Sequence, residues 1–361
     1  MRFMLDVVAL QRIMPKYSAV KVIALKMSIT IGNIKTRNNV FLAPMSGITD
    51  EPFRAIAHDA GAGLVVSEMV ASEELVRERP DMMRRAKGGK KLAPFVMQLA
   101  GREAKWMSEG ARVAQDLGAD ILDINMGCPA RQVTGGLSGS ALMRNIDHAI
   151  TLVEATVAAS QVPVTLKMRL GWDENSLNAP ELAKRAEQAG IALITVHGRT
   201  RCQFYTGKAD WKAIRAVREV ISIPLIANGD GGSVEDARAM MKASGADGVM
   251  LGRSTYGRPW WPGVIAEGLK AGTGKSAPSL AEECAYLLLQ QEETLTLYGD
   301  ILGNRTFRKH LGWAISRLRE RQLLTPQHTE TLRQTLLTEK DNARVRAGLS
   351  HIYCEELAEV A

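Results

Sequence analysis

Residues 121–129 read Ile121-Leu122-Asp123-Ile124-Asn125-Met126-Gly127-Cys128-Pro129, an apolar, β-branched run closed by an amide, a glycine, a thiol and a proline. The run from Ile121 to Asn125 predicts a short strand, and the Gly-Cys-Pro turn marks where the chain leaves it. Runs of the same kind recur at Val40 to Met45, Leu64 to Ser67, Pro94 to Leu99, Val164 to Met168, Leu193 to His197, Pro224 to Asn228 and Gly248 to Gly252, with helical stretches between them. Eight strands alternating with helices over roughly 230 residues predict a parallel sheet closed into a (β/α)8 TIM barrel; an open doubly wound sheet is the competing arrangement. Most runs end in residues that a core would not choose, among them Ser46, Gln98, Asn125, Lys167, Arg169, His197, Asn228 and Arg253. A barrel brings the carboxyl ends of all its strands to one face, so these groups are expected to converge on a single site.

The rest of the 361-residue chain sets the frame. With 46% hydrophobic and 24% charged residues and 13 prolines, it has the composition of a globular protein, which excludes collagen-like, disordered and small disulfide-scaffold classes. Cys128, Cys202, Cys284 and Cys354 form no CxxC pair, so no zinc site or disulfide framework is read and no metal is expected. A reducing cytoplasm fits this cysteine usage, and no apolar run is long enough for a membrane span. Residues 1–27 read as a loosely ordered extension, and 28–270 as the barrel. From about Ser276 the pattern turns helical, so residues 279–361 predict a C-terminal all-helical domain behind a Gly-, Ser- and Pro-containing linker at 271–278.

Several residues suggest chemistry. Asn228-Gly229-Asp230-Gly231-Gly232 and Gly252-Arg253 follow the last two strands, where barrels commonly bind phosphate; each glycine run alone reads as a tight turn, and the pair favours a phosphorylated ligand. Lys167 stands where a barrel interior would hold Val or Leu, which calls for an anionic partner: a ligand above it, or an ion pair with Asp123. Gln98 and His197 taken singly are ordinary satisfied core polar residues; with Lys167 they make a set suited to an electron-rich heterocycle such as a flavin. Cys128 is held over the mouth by its Gly-Pro turn with no histidine nearby in sequence, which favours a thiol that donates a proton over one that attacks a carbonyl. The net charge of +7 is segregated: 77–91 and 303–346 alone carry +5 and +6. Solvated faces explain most charge runs, but segregation beside a barrel mouth, with Arg169, Arg199 and Arg201 at the strand ends, points to a polyanionic substrate.

Five segments in order, Leu42 to Asp50, Asp123 to Pro129, Gly139 to Met143, Val164 to Arg169 and Thr195 to Arg201, closely resemble the tRNA-dihydrouridine synthases over about residues 28 to 345. The likeness is nearest to the bacterial B-type branch, with Ser46 where alanine is often found. The resemblance implies an FMN enzyme that reduces D-loop uridines of tRNA with NADPH. It implies flavin contacts from Pro44, Met45 and Ser46, with Gln98, Lys167 and His197 around the ring and Asn228, Gly229, Asp230, Gly252 and Arg253 at the phosphate. Cys128 matches the family's proton donor, Asn125 and Arg169 match positions at the extruded uracil, and Arg305, Arg308, Lys309 and Arg317 would hold the tRNA body. A monomer acting in the cytoplasm is expected. Two rival readings remain at this stage: a flavin barrel acting on a free pyrimidine, as dihydroorotate dehydrogenase does, and a non-catalytic RNA-binding barrel. The first needs neither helical tail nor segregated charge, and the second leaves Cys128 and Lys167 idle.

Overall fold

The computed structural model describes residues 27–88, 92–271 and 277–357. Residues 1–26, nearly all of the expected extension, lie outside the described residues, as do 272–276 of the expected linker and Lys90 and Lys91 of the first basic cluster. A two-stranded hairpin, β1 (Thr30–Ile31) and β2 (Ile34–Lys35), precedes the barrel. The barrel strands are β3 (Val40–Leu42), β4 (Leu64–Ala71), β5 (Val96–Ala100), β6 (Ile121–Met126), β7 (Val164–Arg169), β8 (Leu193–His197), β9 (Leu225–Asn228) and β10 (Gly248–Leu251). Each pairs in parallel with the next and β10 closes on β3, so the sheet is a complete (β/α)8 barrel and the open sheet is excluded.

Period-two alternation sorts the side chains. On β6, Leu122, Ile124 and Met126 point outward into the layer between barrel and helices, whereas Ile121 points inward with Phe41, Val66, Val96, Leu193, Ile226 and Met250. The same alternation turns Asp123 and Asn125 inward, and on β7 it turns Thr165, Lys167 and Arg169 inward. The interior is therefore apolar below and polar above. Ile29 and Ile31 of the hairpin segment join the lower apolar cluster and plug its bottom. Burying each large side chain there is worth roughly 1.5–3 kcal/mol against exposure.

The largest departures from expectation are in two strands. β3 stops at Leu42, not Met45, because Pro44 has no N–H for the ladder and Met45 is drawn into a turn by Thr49, whose hydroxyl accepts from Met45 N at 2.8 Å. β4 runs on to Ala71, past Ser67, through a register shift between Val66 and Met69. Ser67 Oγ accepts from Gln98 N at 2.9 Å and donates to Glu68 O at 2.8 Å, so the polar pair belongs to a bulge and does not end the strand.

The outer helices are α1 (Glu51–Asp59), α2 (Ser72–Val76), α3 (Pro80–Arg85), α4 (Ala104–Asp116), α5 (Arg131–Gly135), α6 (Ile146–Ala158), α7 (Ala179–Gln188), α8 (Arg215–Arg218), α9 (Val234–Ser244) and α10 (Trp261–Ala271). The C-terminal segment is helical throughout: α11 (Leu280–Tyr298), α12 (Asp300–Glu320), α13 (Pro326–Leu336) and α14 (Asn342–His351). A reciprocal Ser279–Glu282 capping box starts α11, and Gly299 separates α11 from α12. Leu287, Phe307, Leu311, Ile315, Leu318 and Leu349 form the core of this segment, and Trp260 and Val264 insert into it from the end of the barrel. Among the described residues no helix is long and apolar enough to cross a membrane.

Candidate active site

Strand register sets the polar residues side by side: Gln98 beside Asp123, Asn125 beside Lys167, Arg169 beside His197 and His197 beside Asn228. Thr165 Oγ1 donates to Asp123 Oδ1 at 2.6 Å, and Gln98 Nε2 donates to Asp123 Oδ2 at 2.7 Å. Asn125 Nδ2 then donates to Gln98 Oε1 at 2.7 Å, while Asn125 Oδ1 accepts from Gly127 N and Cys128 N at 3.1 and 3.0 Å. Each carboxamide is locked in one orientation, because a flip would set donor against donor. The chain of bonds ends at the backbone of Cys128, a free, partly exposed thiol. Ser140 holds the Cys128 carbonyl from the other side with its N–H (3.1 Å) and hydroxyl (2.8 Å). Gly139 sits behind it at φ +60°, where a Cβ would lie 2.9 Å from Cys128 O, so glycine is required there.

Lys167 and His197 stand across the floor. Lys167 donates to Asn228 Oδ1 at 3.2 Å, and Asn228 is anchored by its own bond to Met250 O at 2.7 Å. The direct ion pair with Asp123 that was one reading of Lys167 is not formed: the Asp123 carboxylate is taken by Thr165 and Gln98. Burial, with the charge of Arg169, pulls the Lys167 ammonium down to about 8, and burial pushes the Asp123 carboxyl up. Burial and the surrounding cations Arg169, Lys167, Arg199 and Arg253 hold His197 well below the usual imidazole range, so it is neutral. Arg199 Nη1 lies 3.3 Å from His197 Nε2 and can only donate, which leaves the imidazole proton on Nδ1. An ammonium with one neutral hydrogen-bond partner, beside amide and imidazole donors, suits a ring that gains negative charge.

Next to this floor lies a place fitted to a phosphate. A Cβ on Gly229 would come within 3.2 Å of the His197 ring and 2.7 Å of Ala209 Cβ, so the backbone there lies directly over the histidine. A Cβ on Gly252 would lie 3.7 Å from Met45 Sδ, which joins the loop after β10 to the loop after β3. Beside Gly232, the hydroxyl of Ser254 is buried and has no hydrogen-bond partner among the described residues, and Arg253 next to it remains 45% exposed. An orphaned buried donor beside an exposed guanidinium and glycine turns calls for an anion. Ser254 carries no motif in the sequence; only its orphaned hydroxyl reveals it.

Several arginines have other places than expected. Arg199 is buried and gives Asp230 a bidentate pair, Nη2 to Oδ2 at 2.6 Å and Nη1 to Oδ1 at 2.9 Å, with its other donors on Thr206 O and Gly207 O. Its charge is thus neutralised inside the protein, and it is not presented to an RNA phosphate. The Asp230 carboxylate is likewise consumed, by Arg199, Arg253 and Ala209 N, so its side chain would not hold a phosphate itself. Burial acts to raise that carboxyl, but the Arg199 and Ala209 hydrogen bonds and both guanidiniums hold it below its usual range. Arg308 bonds Asn304 Oδ1 and Glu339 O within the helical segment, while Lys309 and Arg317 turn toward barrel loops, so none of the three is a free surface cation. Arg305 alone of that group is exposed.

Arg169 is buried to 1%, with Nε on Gly127 O and Nη1 on Thr200 O and Phe204 O, leaving Nη2 for a ligand among the described residues. Its guanidinium lies 5.6 Å from the ring of Tyr205, and that of Arg253 lies 4.8 Å from the same ring. Tyr205 is 49% exposed over the mouth. Arg201 is sandwiched by Trp172 and Phe204 at 4.8 and 5.0 Å, and bonds Thr134 Oγ1 at 3.3 Å. The sequence reading overlooked Tyr205, although an aromatic pair amid Arg199, Arg201 and Lys208 is a recognisable sign of single-strand binding.

The fold and the polar floor at its mouth define a (β/α)8-barrel enzyme. The profile of the family described as dihydrouridine synthase (Dus) matches residues 41–347. A probable tRNA-dihydrouridine synthase of Rhizobium leguminosarum bv. phaseoli is 53% identical over 318 residues, 88% of this chain and 96% of that one. The tRNA-dihydrouridine synthase B of Pseudomonas putida is 44% identical over 290 residues, 80% and 86% of the two chains. Among solved structures, histamine dehydrogenase from Rhizobium sp. 4-9 superposes with a TM-score of 0.53 at 15% identity, over 73% of this chain and half of that one, a likeness of fold alone. The chain belongs to the dihydrouridine synthase family, a family of oxidoreductases.

Proposed function

We propose that this enzyme reduces D-loop uridines of tRNA to 5,6-dihydrouridine, with FMN as cofactor and NADPH as reductant, in the cytoplasm and as a monomer. The observation that carries the reading is Cys128, hung by its backbone over a floor of Lys167, His197 and Gln98. A bound flavin would supply the reducing equivalents, as hydride to carbon 6 of the uracil. Pro44, Met45 and Ser46 would flank the ring, and Lys167 would set its ammonium against the negative charge that reduction creates. Arg253, the Ser254 hydroxyl and the turns at Gly229, Gly232 and Gly252 would hold the phosphate, with Asp230 serving through Arg199 and Arg253.

Cys128 would deliver the proton to carbon 5 from the face opposite the floor. The Thr165–Asp123–Gln98–Asn125 chain fixes the height of the thiol. Arg169 Nη2 and the spare amide N–H of Asn125 would meet the uracil oxygens, and Tyr205 would offer a ring on which an extruded base stacks. Extrusion costs a few kcal/mol, which phosphate contacts from Arg201, Arg305 and the basic surface would offset. Residues 279–361 would act as the RNA-docking domain of this arrangement, joined through 271–278.

The test is Cys128→Ala. Flavin content and NADPH-driven bleaching are expected to stay as in the wild type, while reoxidation by tRNA lacking dihydrouridine slows by about 100-fold or more, the range of general acid catalysis. Equal reoxidation rates would remove Cys128 from the mechanism, and reoxidation by orotate in place of tRNA would redirect the reading to a free pyrimidine.

A further inference from the structure

One stripe of α12 gives the helical segment a role beyond carrying positive charge. Lys309, Trp313 and Arg317 are spaced i, i+4, i+8 and so share a face of that helix. This face is turned to the barrel mouth. Lys309 Nζ donates to the carbonyl of Gly47, in the loop that follows Pro44, Met45 and Ser46. Trp313 stacks on Tyr256 at 4.0 Å and 18°. Arg317 donates to Tyr256 O at 3.2 Å and to Ser254 O at 3.4 Å, in the loop that carries the orphaned Ser254 hydroxyl.

Both loops are built to accept this brace. Gly47, at φ +73°, has its N–H on Glu68 Oε1 at 2.5 Å and its carbonyl on Lys309, so each polar group of its backbone is held from outside the loop. Asp50 and Glu68 face Lys309 and buried Arg54, and Arg54 is faced by Glu51 as well, so loss of Lys309 would leave Arg54 alone to meet these carboxylates. In the other loop Gly257 stands at φ +70°, where a Cβ would lie 2.6 Å from Ala314 N, so only glycine lets the loop lie this close to α12. Next to Lys309, His310 packs on Phe53 of α1 at 5.4 Å and locks the helix against the barrel.

We infer that α12 is a structural part of the cofactor site: Lys309, Trp313 and Arg317 position the loop after β3 and the loop after β10, so that flavin affinity depends on docking of the helical segment. This rests on the flavin reading given above, and it moves Lys309 and Arg317 from RNA contacts to positioning residues. They act through the Gly47 and Ser254–Tyr256 backbone.

The experiment is a fluorescence titration of the apo full-length protein with FMN, and a parallel measurement of tRNA affinity, for wild type, Lys309→Met, Arg317→Met and the exposed control Arg305→Met. Lys309→Met and Arg317→Met are each expected to raise the flavin Kd about tenfold or more while changing tRNA affinity less than threefold. Arg305→Met is expected to do the reverse. Lys309→Arg, which keeps a charged donor, should recover most of the flavin affinity, a rescue that a general loss of stability would not show. Should Lys309→Met fail to fold, Lys309→Gln and Arg317→Lys carry the same comparison. Unchanged flavin Kd with weakened tRNA binding would overturn the inference and restore both residues to the RNA surface. A wild type that takes up no flavin would instead sink the cofactor reading, and this one with it.

Discussion

Asp230→Asn probes a buried charge of the site through its partner. The Arg199 side chain is 2% exposed and meets Asp230 through two charge-assisted bonds of 2.6 and 2.9 Å. Asparagine is the clean replacement because position 230 has φ +59°, a left-handed conformation that asparagine tolerates and alanine does not. Removing one partner of a buried pair typically costs about 3–5 kcal/mol, because the other charge is left uncompensated. Here Asp230 is 27% exposed, Arg199 keeps the Thr206 and Gly207 carbonyls, and asparagine keeps one acceptor oxygen, so the expected loss is nearer about 2–3 kcal/mol. For a barrel of this size that lowers Tm by roughly 5–10 °C. Thermal melts of the apo protein at pH 7 would measure it, repeated toward acid pH. Because the folded Asp230 carboxyl lies below its usual value, its stabilisation is present above the unfolded pKa of 3.8 and fades as pH falls through the folded value. Wild type and variant should therefore converge in acid. An unchanged Tm at pH 7, or a gap that widens in acid, would refute the assignment of this pair as the neutraliser of Arg199.

Arg305 and Arg308 are three residues apart, the first exposed and the second bonded inside the helical segment: Arg305→Glu should weaken tRNA binding and reduce its salt slope by roughly 1–2, whereas Arg308→Ala should lower Tm and leave that slope alone. Burial, with Glu68 close by, raises Asp50 to about 6 from 3.8, so the stabilisation is full below the unfolded pKa and is lost as pH rises through 6. Asp50→Asn keeps the helix cap and is expected to flatten urea stability between pH 4 and 7, a change of roughly 2–3 kcal/mol; an equally steep profile in the variant would exclude Asp50 as its source. Tyr205→Ala should cut kcat/KM for tRNA by about 10-fold or more with flavin reduction by NADPH unaltered, matching the worth of one base–aromatic stack, and equal kcat/KM would take Tyr205 out of substrate contact.

Much of the site was legible because its signals are local. Gln98, Asn125, Lys167, His197 and Asn228 each interrupt an apolar alternation near the end of a strand, and an eight-stranded barrel has only one face where such ends meet. Cys128 was legible from the Gly-Pro turn around it. Strand limits were less so: the Ser67-Glu68 pair looked like a terminus because a bulge satisfies polar groups without leaving any trace in hydrophobic pattern.

Sequence alone determined the number of barrel strands, though not the β1–β2 hairpin, and with it the two faces of each strand, the helical tail and the polar residues gathered at the mouth, since alternation and composition are properties of neighbouring residues. It could also count cations, but a charge in a sequence does not disclose its counterpart. Tertiary structure decided that Arg199 belongs to Asp230, that Arg308 belongs to Asn304 and Glu339, and that Lys309 reaches Gly47 across 262 residues of chain. It also decided that the Ser254 hydroxyl is left over. The reason is physical: an ion's role depends on what desolvates it and what meets it there, and both are set by closure of the barrel and the seating of α12 against its mouth.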